Sequence, residues 1–202
     1  GLAAGEQVEV RMGISYVSTE NARKNLDAEQ AADAPFDAIR EQARKGWNEA
    51  LGRIRVEGGA EQQQRVFYTA LYHALLHPNL VSDVNGEYPL MERSGETGVT
   101  DGERYTVFSL WDTYRNLHQL MTLVYPERQL EMVRSMIGMY KEWGWLPKWE
   151  LYGRETFTME GDPAIPVIVD TWMKGLRDFD MDAAYEAMRK SATTPGAQNR
   201  MR

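Results

Sequence analysis

Apolar and polar residues alternate from residue 7 to residue 17. Val8, Val10, Met12, Ile14 and Tyr16 fall on one side, with Glu9, Arg11 and Ser15 on the other. A period of two is that of a half-buried strand. A lone strand leaves both edges unsatisfied and no second strand of comparable clarity follows, so its partners are expected upstream, with residues 1–17 closing a β domain. Ser18-Thr19-Glu20-Asn21 offers capping side chains for a short helical stretch, and the Ala-rich run through Pro35 reads as a linker over 18–35.

From Phe36 the period becomes helical. Phe36, Ile39, Ala43, Trp47, Leu51 and Ile54 recur three or four apart until Gly58-Gly59. A second helix is expected from Glu61 to Leu76, with Phe67, Leu71, Ala74 and Leu75 inward and His77-Pro78 as its stop. Residues 79–106 are rich in Gly, Asp, Glu and Ser and read as one long loop, a length that usually signals function or disorder. Further helices are expected over 106–123, 127–143, 164–179 and 182–190, and residues 193–202 carry no apolar period and should fray. Antiparallel helices with short returns on one side and long loops on the other suggest a helical bundle or an α/α toroid.

Composition narrows the partners. With 26% charged and 43% hydrophobic residues among 202, the chain can bury the core of one domain or of a piece of a larger one. A net charge of -7 and interspersed Lys and Arg provide no basic stripe for nucleic acid. The absence of cysteine removes disulfides, thiol catalysis and Cys metal sites. No stretch approaches the length of a membrane span, and the start, Gly-Leu-Ala-Ala-Gly-Glu, reads as the interior of a longer chain.

The densest candidate chemistry lies between Trp145 and Lys174. Glu150, Glu155, Glu160 and Asp162 fall within thirteen residues, beside Trp145, Trp149, Tyr152 and Phe157. Aromatic faces stack on the C–H faces of pyranoses, and a carboxyl near apolar rings gains proton affinity and can act as a general acid. The same residues also suit surface carboxylates beside core aromatics. Asp112 and Arg115, at i and i+3 with Trp111 and Tyr114 beside them, could hydrogen-bond sugar hydroxyls or form a structural ion pair. His73 and His77 have i, i+4 spacing, but no His-Glu-x-x-His pattern accompanies them and Pro78 follows at once, which disfavours a metal site. His118 reads as a polar residue on a helix face. The glycines have no phosphate-loop spacing, and the eleven Met read as core rather than cofactor pocket.

Several segments together resemble glycoside hydrolase family 92, the calcium-dependent exo-acting α-mannosidases. They are Val10 to Leu26, Phe67 to His73 with Pro78-Asn79 and Ser82 to Gly86, Tyr105 to Arg115, Gly144 to Trp149, and Glu155-Thr156 through Met159 and Gly161. The likeness implies a mainly α fold, part of an (α/α)6 barrel over 36–202 preceded by the last strand of an N-terminal β-sandwich. It implies inverting hydrolysis, in which one carboxylic acid protonates the leaving oxygen and a second carboxylate activates water. On this resemblance the acid is Glu155 or Glu150, with Glu155 preferred because it follows the polar turn Tyr152-Gly153-Arg154. Trp111, Asp112 and Arg115 would line a mannose subsite, with Trp149 near the incoming glycan. Calcium would hold two mannose hydroxyls. Its main ligands and the catalytic base are expected beyond this chain, in the rest of a parent polypeptide that is secreted or periplasmic, and the fragment alone should be inactive. Within the same resemblance, a family member acting on mannose phosphodiesters is the alternative, whose leaving group needs no acid. The contrasting class is a non-catalytic helical carbohydrate-binding or scaffold domain, which would leave the carboxylates splayed on the surface without a shared cleft.

Overall fold

The computed structural model describes residues 3–195. It is mainly helical: α1 (Thr19–Glu29), α2 (Phe36–Leu51), α3 (Glu61–Ala74), α4 (Leu110–Thr113), α5 (Leu117–Val124), α6 (Pro126–Trp143), α7 (Ala164–Met173) and α8 (Met181–Thr193). Short strands connect them: β1 (Asn79–Leu80), β2 (Glu87–Pro89), β3 (Thr97–Val99), β4 (Tyr105–Thr106), β5 (Phe108–Ser109), β6 (Trp149–Leu151) and β7 (Arg154–Glu155). All pairings are antiparallel: β1 with β4, β2 with β3, and β6 between β5 and β7.

Local chemistry explains the ends. Ser18 caps α1 by accepting from the Asn21 N–H at 3.0 Å, and Asp180 caps α8 by accepting from Ala183. Pro126 opens α6 at a position where no N–H is needed, and Gly144 closes it in the left-handed region at φ 93°. The period-3.6 stripes then assemble two cores. Trp47, Leu51 and Ile54 of the first long helix and its end meet Leu71 and Leu75, with Met121 and Tyr125 beneath. The larger core joins α6, α7 and α8 over Phe108, Leu110, Met132, Met136, Ile168 and Ala184. The expectation that methionines are core holds for Met91, Met121, Met132, Met136 and Met139, all fully buried.

Several expectations need correction. Residues 7–17 do run extended, but among the described residues they have no ladder partner, and the apolar set is exposed rather than half-buried: Val10 is 78% exposed and Ile14 66%. The side chains that turn inward are Arg11, toward the Ala31 and Ala34 carbonyls after α1, and Ser15, toward the 82–87 loop. The helix expected over 106–123 is interrupted. Thr106 and Phe108-Ser109 are drawn into strands, Val107 sits at φ 61°, and helix resumes only in α4 and α5. Apolar spacing alone could not reveal that the backbone here pairs with β6. The helix expected to 179 stops at Met173 before Gly175, at φ 90°. The long loop of 79–106 contains β1 to β4, and the expected fraying of 193–202 falls mostly outside the described residues.

The imidazoles also differ from expectation. His77 lies beyond the end of α3, bonded to Asn79 at 3.2 Å, so it shares no helix face with His73. His118 is not on an open face but 1% exposed, between Thr113 at 3.1 Å and Gln129 at 3.0 Å, and Gln129 continues to Thr171 at 2.9 Å. Desolvation pushes its pKa down to about 4, against a smaller upward pull from the Gln129 bond. Its folded value lies below the ordinary 6.5, so its neutral form contributes stability that is present above 6.5 and lost as pH falls toward 4. An NMR titration of the His118 ring is expected to show no protonation down to about pH 5, with stability declining over that window.

Candidate active site

The loop after α6 folds into a β-hairpin. Tyr152 at φ 49° and Gly153 at φ 80° form its two-residue connection, both left-handed as a type I′ turn requires. Glu150 and Glu155 are opposed across it. Instead of splaying into solvent, both carboxylates are buried, at 1% and 7% exposure. Glu150 accepts from Thr106 Oγ1 at 2.8 Å, from the Gly153 N–H at 2.6 Å and from the Val107 N–H at 3.0 Å. Glu155 accepts from the N–H groups of Lys148 at 2.7 Å, Trp149 at 3.0 Å and Phe157 at 2.9 Å, while its own N–H donates to Glu92 at 2.6 Å.

Burial pushes the Glu150 carboxyl up to about 7. The bonds from Gly153, Thr106 and Val107 and the charge of Arg104 oppose that rise without cancelling it. Thr106 suits a carboxyl near half-protonation, because its hydroxyl can donate to the anion or accept from the acid. At the same time it accepts from the Tyr152 N–H at 2.9 Å.

Backbone strain gathers around these two groups. Among the described residues the non-glycine positions with positive φ are Glu92, Val107, Tyr152, Phe157 and Met159. Val107 and Phe157 donate to the two carboxylates, Glu92 accepts from the Glu155 N–H, and Tyr152 forms the turn. A β-branched residue such as Val107 is disfavoured there, at an expected cost of order 1–3 kcal/mol per strained position. Such positions persist where the surroundings over-determine them, often at sites of function.

An open cleft of about 350 Å³ lies nearby, lined by Trp111, Tyr114, Glu160, Asp162, Pro163 and Pro166. Trp111 is 37% exposed, with the Arg115 guanidinium 4.3 Å from its ring centroid and 5.7 Å from that of Tyr114. Asp112 and Arg115 form no ion pair with each other. Asp112 accepts from the Ser109 hydroxyl, and Arg115 reaches back to the Trp111 carbonyl at 3.4 Å. Trp149 is half-buried on β6 opposite Ser109 and outside the cleft lining. Asp162 links cleft and hairpin through Lys148, whose Nζ lies 3.7 Å away.

Thr106, Glu92 and Val107 carry no signal in the sequence for a role in the site, whereas Glu160 and Asp162 belong to the carboxylate cluster expected there. Thr106 and Glu92 lie more than forty residues upstream in a stretch read as loop, and only the β5–β6 pairing and the Glu92 contacts bring them here. Among the described residues no three His, Cys, Asp or Glu converge as a metal-binding group. The hairpin carboxylates already spend their oxygens on N–H and O–H donors, so these residues do not fit a complete calcium site.

The hairpin thus holds a buried carboxyl raised toward neutrality, and Lys148 and Asp162 connect the segment before it to a cleft of aromatics and carboxylates. The chain belongs to glycosyl hydrolase family 92, whose catalytic-domain model matches residues 21–202. It is 28% identical over 190 residues to an uncharacterized secreted glycosidase of Arthroderma benhamiae, covering 92% of this chain and 20% of that protein. Among solved structures it resembles a family GH92 α-mannosidase from Bacteroides thetaiotaomicron, with 34% identity and a TM-score of 0.84 over 91% of this chain and 24% of that one. The same α-mannosidase in complex with mannoimidazole gives 35% identity and 0.83, over 89% of this chain and 23% of that one. A family GH92 inverting mannosidase from the same organism gives 36% identity and 0.81, over 91% and 25%. The chain thus spans about a quarter or less of the relatives it matches.

Proposed function

We propose that this chain is part of an exo-acting, inverting α-mannosidase, and that its hairpin supplies the general acid. The observation that carries this reading is the concentration of left-handed, strained residues around two buried carboxylates, one of them raised to about 7. Of the two, Glu150 is favoured as the acid. A general acid must hold a proton at working pH, and burial raises the Glu150 carboxyl to about 7. The Glu155 carboxylate accepts from the N–H groups of Lys148, Trp149 and Phe157 and shapes the loop. Because Glu150 is covered by the Tyr152-Gly153 turn, that turn must lift when substrate docks. Trp111 would stack on the sugar face, and Glu160, Asp112 and Arg115 would bond its hydroxyls.

The base would come from residues outside this chain, so the pair forms only in the full-length protein. Calcium, implied by the family resemblance, would likewise draw its main ligands from elsewhere, and no step here runs through it. The likeness to a secreted glycosidase supports an extracellular or periplasmic setting, and among the described residues no helix is long and apolar enough to cross a membrane. The test is NMR of the first product formed from α-1,2-mannobiose by the full-length protein. Release of β-mannose is expected; α-mannose as first product, or no release, would contradict the reading.

A further inference from the structure

Tyr16 lies flat on Tyr152, with ring centroids 4.3 Å apart and planes inclined by 18°. Tyr152 is the first residue of the hairpin turn, so whatever holds Tyr16 also bears on Glu150. The segment around Tyr16 has no ladder partner among the described residues, yet it is fixed. One buried carboxylate does this. Asp83, 7% exposed, accepts from Ser15 Oγ at 2.7 Å, Asn21 Nδ2 at 2.8 Å and Asn25 Nδ2 at 2.7 Å.

Both amides are fully used. Asn25 gives its second hydrogen to the Ile14 carbonyl at 2.8 Å and accepts from the Val84 N–H at 3.0 Å. Asn21 gives its second hydrogen to Glu87 at 2.7 Å, and that bond, followed by one from Asn85, holds the Glu87 carboxyl below its ordinary value. Ser15 Oγ accepts from the Val17 N–H at 2.9 Å, which turns the chain into α1. At Gly13 the chain presses so close to that helix that a Cβ would lie 2.0 Å from the Ala22 carbonyl oxygen. Residues 13–25 are thereby clasped to the 82–87 loop, and Tyr16 projects from the clasp onto the turn.

We infer that Asp83 is a positioning residue for the carboxylate hairpin, acting through Ser15, Asn21 and Asn25 to set Tyr16 against Tyr152 and so fix the turn whose Gly153 N–H bonds Glu150. The inference rests on the hairpin bearing the general acid. A turn that must lift for substrate and then reseat needs a defined resting place, and the tyrosine stack provides one.

The test compares Asp83→Asn, Tyr16→Ala and Tyr16→Phe in the full-length protein. The readouts are kcat, KM and the pH profile on α-1,2-mannobiose, with hydrogen exchange at residues 150–155. Asp83→Asn turns an amide toward three donors, and Tyr16→Ala removes the ring at a largely exposed position, so the second variant still folds if the first does not. Each is expected to lower kcat about 10- to 100-fold with KM little changed, as misplacement of a reacting group does. Exchange at Gly153 should quicken, and the alkaline limb of the pH profile should move below 7 as water reaches Glu150. Tyr16→Phe keeps the ring stack and loses only the hydroxyl contact to Tyr152, so it should retain most of the wild-type rate. Lowered thermal stability with unchanged kcat, pH profile and exchange would overturn the inference. If wild type releases no mannose, the acid reading fails separately, and exchange alone decides the clasp: faster exchange at Gly153 in Tyr16→Ala but not Tyr16→Phe supports it, and no difference overturns it.

Discussion

Replacing Glu150 by Gln in the full-length protein is expected to lower kcat on α-1,2-mannobiose by about 10²- to 10⁴-fold, the range for loss of a positioned general acid. The glutamine keeps the volume and one acceptor oxygen but turns its amide toward the Gly153 or the Val107 N–H, so hydrogen exchange over residues 149–155 accompanies the assay to separate loss of the transferable proton from loss of the hairpin. In wild type the acid must be protonated, and its carboxyl is raised to about 7 in the free protein, so kcat/KM should fall as pH rises through 7. The variant should lose that limb. Stability gives an independent check. The folded value of Glu150 lies above the ordinary 4.5, so its contribution is fully present below 4.5 and is lost as pH rises through 7, amounting to about 3 kcal/mol at most. Denaturation of wild type and Glu150→Gln from pH 4 to 8 should show wild type losing ground to the variant across that window.

Truncating Glu142 to Ala should cost about 3–5 kcal/mol, because it leaves a buried charge without its partner. Arg104 and Glu142 pair at 2.8 Å with side chains only 6% and 10% exposed. The other donors to Glu142 are Tyr88 Oη at 3.0 Å and the Met91 N–H at 2.9 Å, and Arg104 lies 4.6 Å from the Tyr88 ring centroid. This ties α6 to the strands that lead into the site. Gly138 is part of the same fit, since a Cβ there would come within 2.4 Å of Arg104 Nη1. Replacing both partners by Met should cost far less than Glu142→Ala, because no charge is then stranded. Thermal unfolding of the single and double variants checks this, and equal losses would show that the cost lies in volume rather than charge.

The sequence made the long elements and the chemical neighbourhood legible, but not the way the neighbourhood is wired. Helices α3, α6 and α8 announced themselves through 3.6-residue stripes and terminal Pro, Gly and Asp, which are local signals; the stripe also marked α2, but that helix ends at Leu51 with Gly52 as its cap rather than running through Ile54 to Gly58-Gly59. The sequence shows only a loop at 149–155, although Tyr152-Gly153 is a turn pair, because the two strands are too short to alternate visibly. Thr106 and Val107 could not be found by pattern, since their role comes from pairing with a strand more than forty residues away. The apolar alternation at 7–17 revealed the extended backbone correctly and misled about burial. Period says which residues share a face, while only tertiary structure says which face is covered.

The most direct measurement compares wild type, Glu150→Gln and Glu155→Gln on α-1,2-mannobiose and on 2,4-dinitrophenyl α-mannoside, whose leaving group departs without a proton. Glu150→Gln is expected to lose the first activity and retain most of the second, while Glu155→Gln affects both alike through the loop. Selective loss in Glu155→Gln instead, or equal loss on both substrates in Glu150→Gln, would contradict the assignment of Glu150 as the acid.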